Sequence, residues 1–294
     1  MCDIWKNPAA RELSPAELER HVADIAALSV RWVVLSGGEP LMHSDLFRLC
    51  AMLRSLGIKV TLLSSGLLLA RYAEQINQHV DEVIVSLDGP PAVHDAIRAV
   101  TNAFRLLEDG VRQLACPVDA RCTVQKRNAA HLAETAVTAR ALGLRSLSFL
   151  AADVTSEAFN RSGGWPIARA RLVSLSAEDL AVLETQIDAL IARPQDGFIR
   201  ESPEKLRRIA HHFRAHLGLV PPVAPRCNAP WVSAVIESDG TVRPCFFHEP
   251  VGSLAGRTLL EVINGPEAVR FRETLRVEEN KTCRRCVCSL YVPV

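Results

Sequence analysis

Five short apolar, β-branched runs recur through the first half of the chain, with helix-patterned stretches between them. They occupy residues 31–35, 58–63, 82–87, 118–125 and 145–150, so successive starts fall 24 to 36 residues apart. A strand, a crossover helix and the return to a parallel strand need about 30 residues. The runs are apolar throughout rather than alternating, which predicts a parallel sheet covered on both faces. Ser14-Pro15-Ala16-Glu17 reads as a capping box with proline at the first helical position, and Ser44 and Asn128 read as N-caps of the second and fifth helices. In such α/β folds ligands gather at the carboxyl ends of the strands. Here those ends turn polar and glycine-rich: Ser36-Gly37-Gly38-Glu39-Pro40, Ser64-Ser65-Gly66, Ser86-Leu87-Asp88-Gly89-Pro90 and Gln125-Lys126-Arg127-Asn128.

After residue 150 the alternation lapses into a loop over 151–166, and helices begin near Ser176 and Pro203. Pro221, Pro222 and Pro225 form a break that divides the chain into regions 1–220 and 221–294. Beyond it, residues 232–236 and 241–245 flank Asp239-Gly240, a hairpin signal. The nine cysteines are unevenly placed: Cys50, Cys116 and Cys122 sit in regular segments as small apolar residues, and the other six lie at the two ends. A chain of 294 residues with 48% hydrophobic content buries a sizeable core and needs no disulfide scaffold, so the terminal clustering favours metal binding. With 34 basic against 33 acidic residues, nothing electrostatic points to nucleic acid or an anionic membrane as partner. No apolar run approaches the roughly 20 residues of a membrane span and no signal peptide is visible, so the expected compartment is the cytoplasm.

Two motifs carry chemistry. The Gly37-Gly38-Glu39 turn brings backbone close to a ligand and adds a carboxylate, which together suit an ammonium group; it also reads as a tight turn with a solvated acid. In the tail, the hairpin brings Cys227 and Cys245 to neighbouring ends of one small sheet, and Cys283-x2-Cys286 clasps a metal from one turn, with Cys288 competing for a place. Four thiolates suit zinc or a [4Fe–4S] cluster, and spacing alone does not decide between them.

Cys2-Asp3-Ile4-Trp5, the Ser36-to-Leu41 turn, Ser86-to-Pro90 followed by His94-Asp95 and Arg98, and the Cys227-x12-Gly240-x4-Cys245 segment occur in one order. Together they resemble the radical S-adenosylmethionine (SAM) enzymes that carry a SPASM or twitch extension, over nearly the whole chain. The resemblance implies a partial (β/α)6 barrel, five of six strands present, followed by a small cysteine-rich α+β domain. Cys2 matches the last cysteine of a C-x3-C-x2-C loop that holds a [4Fe–4S] cluster through three irons, with SAM on the fourth. Gly37, Gly38 and Glu39 match the turn that receives the SAM amino group, Ser65 lies where a polar residue nears the sulfonium, and Ser86 and Asp88 end a strand that faces SAM. For Ser86 and Asp88, turn chemistry before Gly89-Pro90 is an equal reading. One electron from the cluster would cleave the sulfonium carbon–sulfur bond, giving a 5′-deoxyadenosyl radical that takes hydrogen from a substrate.

The chain departs from that pattern at both ends. Cys2 is alone where three cysteines are implied, so a shortened amino terminus with an incomplete SAM-binding cluster is expected. The tail has five cysteines where a full SPASM domain has at least seven, which favours one auxiliary [4Fe–4S] cluster on Cys227, Cys245, Cys283 and Cys286. The function implied is a radical SAM oxidoreductase or maturase acting on a peptide or biosynthetic intermediate, with flavodoxin or ferredoxin as electron donor. The other reading is a non-catalytic SAM- or peptide-binding module whose tail holds a structural four-thiolate zinc or an iron–sulfur site.

Overall fold

A computed structural model describes residues 3–6, 11–193 and 196–293. Five strands, β1 (Trp32–Leu35), β2 (Lys59–Ser64), β3 (Glu82–Ser86), β4 (Val118–Val124) and β5 (Ser146–Ala151), form one sheet in that order, every neighbouring pair parallel. Each expected run becomes a strand within a residue or two of its ends. Helices Leu46–Ser55, Ala73–His79, Ala103–Val111 and Leu132–Ala141 lie in the crossovers. Helix Pro203–His216 packs on helix Ala177–Ile191 and on β5.

The sheet is not covered on both faces. Along β4, Val118, Ala120, Cys122 and Val124 are buried in the core, while Asp119, Arg121 and Thr123 between them face the other way and Arg121 is exposed. Trp32 and Val34 on β1 are likewise open. One face is therefore helix-covered and the other remains open, as a sheet needs if it is to receive a ligand. Toward the amino ends of the strands the open face carries a polar chain: Trp32 Nε1 donates to Thr61 Oγ1 (2.8 Å), whose hydroxyl donates to Glu82 (2.9 Å). Lys59 and Arg145 each pair with Glu82 at 2.7 Å, and Arg145 also pairs with Asp119. Burial works to raise the Glu82 carboxyl, but Lys59, Arg145 and Thr61 outweigh it and hold it below its ordinary range.

Ser14 caps helix Pro15–Glu19 in a full capping box, and Ser176 does the same for Ala177–Ile191. Ser44 and Asn128 do not cap. The Ser44 hydroxyl is drawn to Glu12 across the fold. Asn128 is fully buried, accepts from the Gln125 amide (2.7 Å) and donates to the carbonyls of Asp88 (2.9 Å) and Thr123 (3.0 Å), tying the ends of β3 and β4 together. Cys50 and Cys122 are buried as expected, and Cys116 is half-buried.

After the proline break, β6 (Val235–Ile236), β7 (Thr241–Arg243) and β8 (Gly252–Ser253) form a three-stranded antiparallel sheet. Asp239-Gly240 turns the first hairpin, with Gly240 at φ +85° and the Asp239 carboxylate accepting from the Thr241 amide (2.9 Å). Val242, Val251, Val262 and Ala268 make a small separate core. The helix Leu259–Ile263 returns to the amino-terminal part of the molecule, where the Leu260 amide donates to Asp24 (2.9 Å). Among the described residues, no helix is long and apolar enough to cross a membrane.

Candidate functional site

Glu39 joins the ends of β1 and β2. One carboxylate oxygen accepts from Ser64 Oγ (2.9 Å) and the Leu41 amide (3.3 Å), and the other accepts from the amide (2.8 Å) and hydroxyl (2.5 Å) of Ser65. These donors are neutral, and among the described residues Glu39 has no cation beside it, so its negative charge is held in place but uncompensated. Gly37 stands at φ +147°, a backbone that side chains rarely adopt, with nothing within 4 Å of where a Cβ would lie. Gly37 and Gly38 are exposed. Gly66 closes the second turn at φ +91°, where a Cβ would come within 2.4 Å of Leu107. The structure thus brings Gly37, Gly38, Glu39 and Ser65 into one open, anionic turn cluster.

Ser86 ends β3 half-buried, opposite Arg121 of β4. Asp88 is turned inward: it is fully buried, pairs with Arg98 at 2.6 Å and accepts from the Thr123 amide at 3.1 Å. Its own amide donates to His94 Nδ1 (3.2 Å), which fixes the neutral imidazole with its proton on Nε2. Burial, with Arg98 beside it, depresses the His94 pKa to about 4. In this position Asp88 is a strut between the ends of β3 and β4.

Cys2 lies outside the described residues. Asp3, the next residue, is clamped by Arg169 through both oxygens (2.7 Å each) and accepts from Trp165 Nε1 (2.8 Å), with Lys6 at 3.1 Å. Arg169, opposed by burial and helped by Trp165 and Lys6, holds the Asp3 carboxyl far below its usual range. The Asp3 amide also donates to the Phe159 carbonyl (3.1 Å). The clamp fastens the amino-terminal segment to the loop after β5.

The tail cysteines share one neighbourhood beside that loop. Phe159 packs on Phe246 and Phe247, 5.6 Å between ring centroids in each case, directly after Cys245. Burial raises the thiols of Cys245, Cys283, Cys286 and Cys288. Neighbouring thiols, Cys227 among them, push Cys245 and Cys283 further the same way, taking Cys283 to about 11. Cys286 Sγ donates to the Cys288 carbonyl (3.1 Å), and His248 Nε2 stands 3.3 Å from Cys283 Sγ. Among the described residues no three acidic, histidine or cysteine side chains converge on a point that one metal ion could occupy.

Residues 1–115 match the model of the radical SAM superfamily, and residues 227–287 match that of SPASM, an iron–sulfur cluster-binding domain. The chain carries a radical SAM domain followed by a SPASM domain. Its SPASM match opens on Cys227 and takes in Cys245, Cys283 and Cys286. An AdoMet-dependent heme synthase of Methanosarcina barkeri is 31% identical over 46% of this chain, a match that spans only 40% of that relative's length. The PqqA peptide cyclase of Ruegeria pomeroyi is 28% identical over 97% of this chain and 75% of its own. In fold, the radical SAM chain is similar to Streptococcus suis SuiB bound to the precursor peptide SuiA, with a TM-score of 0.65 at 15% identity, covering 99% of this chain and 69% of that one.

The radical SAM domain implies a [4Fe–4S] cluster and SAM, and the SPASM domain implies auxiliary iron–sulfur binding. The residues present fit the organic cofactor: an uncompensated carboxylate at Glu39 and open backbone at Gly37 suit an ammonium. Two charged residues beside these positions escaped the sequence. Arg121 places a cation on the open face, two residues before Thr123 on β4, its Nε 3.4 Å from Ser148 Oγ. Its signal was the period-2 alternation of β4, hidden inside a run read as apolar throughout. Arg169, the partner of Asp3, lies 166 residues away and left no local signal.

Proposed function

We propose that this chain is a radical SAM maturase that modifies a peptide. The observation that carries the reading is the alignment with the PqqA peptide cyclase, which runs through both modules in order over 97% of the chain. The cluster and SAM supply one-electron cleavage of the cofactor and a carbon-centred radical for hydrogen abstraction. Glu39, braced by Ser64 and Ser65, holds the SAM amino group, and the exposed turn at Gly37 and Gly38 lets backbone carbonyls reach it. Arg121 offers its charge to a carboxylate of the cofactor or substrate. Ser86 lines the same strand-end cluster, while Asp88 acts by holding it rigid. Cys2 is the thiolate this chain contributes to the SAM-binding cluster. Cys227, Cys245, Cys283 and Cys286 hold one auxiliary [4Fe–4S] cluster, with Cys288 packed behind Cys286. The regions divide at 220/221. Thiolate ligands and the need for a flavodoxin- or ferredoxin-type donor favour a reducing cytoplasm as the compartment.

The test places a Cys-x3-Cys-x2 run ahead of Cys2, the pattern the family resemblance implies, and reconstitutes the protein anaerobically. With dithionite and SAM this protein forms 5′-deoxyadenosine, and Glu39→Gln lowers the rate at least tenfold. No 5′-deoxyadenosine from the extended protein, or full activity in the Glu39 variant, would overturn the reading.

A further inference from the structure

Between helix Pro203–His216, the loop after β5 and the tail helix Lys281–Arg285 lies a cavity of about 280 Å³. Its charged lining is of one sign. Arg208, His211, His212 and His216 come from the long helix, where spacings of three, four and eight residues put them on one face. Arg284 and Arg285 come from the tail, and no carboxylate lines the space.

Donor capacity in this cavity is left unused. Arg208 Nε, a permanent donor, is buried without a hydrogen-bond partner. Arg208 donates through Nη2 to the Cys286 carbonyl (2.6 Å) and Arg284 through Nε to the Pro222 carbonyl (3.0 Å), bonds that fix the two guanidinium planes. Among the described residues Arg285 makes no hydrogen bond or ion pair. Three permanently charged guanidinium groups thus face one space, Arg208 from within the fold, Arg284 half-buried and Arg285 at the exposed mouth. An anion in the middle would pair with these charges and satisfy the orphaned Arg208 donor.

We propose that this cavity binds the phosphoryl group of a small phosphorylated ligand. A carboxylate is planar and is satisfied by a single guanidinium fork, whereas a tetrahedral dianion accepts bonds from several sides. Here the donors stand on two opposing walls. An adjoining cavity of about 490 Å³ shares Arg208, His211 and Val223 with the first and adds Glu184 and Asp188, leaving room for a hydrogen-bonding, non-anionic remainder of such a ligand. Because one wall is the tail helix that carries Cys283, occupancy ties the tail to helix Pro203–His216.

Isothermal titration of the full chain, anaerobically reconstituted and at fixed ionic strength, tests this with three probes: inorganic phosphate, glycerol 2-phosphate and acetate. Both phosphates bind, the ester at least as tightly as the free ion, and acetate binds at least tenfold more weakly. Arg285→Gln, which breaks no bond within the protein, weakens phosphate binding at least tenfold at unchanged iron content. His216→Gln weakens it severalfold, and Arg105→Gln, at an exposed position of the distant helix Ala103–Val111, leaves it unchanged. No phosphate binding by the unaltered chain, acetate binding as tightly as phosphate, or unchanged affinity in both the Arg285 and His216 variants would overturn the proposal. Tighter binding of free phosphate than of the ester would remove the phosphorylated ligand in favour of the free ion.

Discussion

The parallel sheet buries Leu62, Val83, Val85 and Leu147 completely, in a core that continues through the covering helices to Leu183 and Phe213. The tail has strands of two or three residues and a core of its own of only Val242, Val251, Val262 and Ala268. So small an antiparallel sheet is marginal in water. Chains with too little apolar surface to bury commonly gain their order from a metal, whose binding free energy is then folding free energy. The comparison teaches that the two parts answer to different perturbations: the sheet to loss of packing and buried pairing, the tail to loss of thiolates.

The largest effect expected follows from that division. Cys245→Ser abolishes the tail metal and the protease resistance of the segment after Pro225, while Cys50→Ala, in the main core, leaves metal content unchanged. Metal analysis and limited proteolysis of both variants check this, and a full complement in the Cys245 variant would break the contrast.

Next in size is the strut at the ends of β3 and β4. Arg98→Met leaves the fully buried Asp88 carboxylate without its partner, which costs about 3–5 kcal/mol. Urea unfolding followed by far-UV dichroism should show that loss with tail metal retained. A loss under about 1 kcal/mol, the scale of an exposed pair, would mean that Asp88 is not a strut.

His94 gives the sheet a pH dependence. Its folded pKa of about 4 lies below its ordinary 6.5, so the unfolded chain binds the extra proton more readily. The stabilisation is complete above pH 6.5 and drains away as pH falls toward 4. That shift corresponds to about 3 kcal/mol. His94→Asn keeps an acceptor for the Asp88 amide and removes the titration, so its stability should fall less steeply over that window. Parallel slopes for the two proteins would assign the acid sensitivity elsewhere.

The smallest effect is at a cap. Ser176→Ala removes the bond to the Asp179 amide and costs about 1 kcal/mol of the sheet's stability, with no change in tail metal. Loss of metal in this variant would show that the two parts are more tightly coupled than the separate cores imply.

Local chemistry was legible in the sequence wherever neighbours in the chain decide it. The five strand runs, the Ser14 and Ser176 caps and the Asp239-Gly240 hairpin all depend on residues a few positions apart. Ser44, Asn128 and Asp88 carried the same local signals, yet tertiary partners claimed them: Glu12 took Ser44, Asn128 bridged two strand ends, and Arg98 turned Asp88 inward. The openness of one sheet face was written in the alternation of Asp119, Arg121 and Thr123, but the apolar residues between them dominated the reading. The Asp3–Arg169 clamp joins positions that no local pattern connects.

The most direct test of the whole account is the composition of the tail centre. The full chain, reconstituted anaerobically and desalted, is analysed for iron, acid-labile sulfide and zinc, with its absorbance recorded in the sulfur-to-iron charge-transfer region. A closed auxiliary cluster predicts about four irons and four sulfides per chain, a brown protein, and loss of both elements in Cys245→Ser. One zinc per chain with no sulfide, in a colourless protein, would contradict the account.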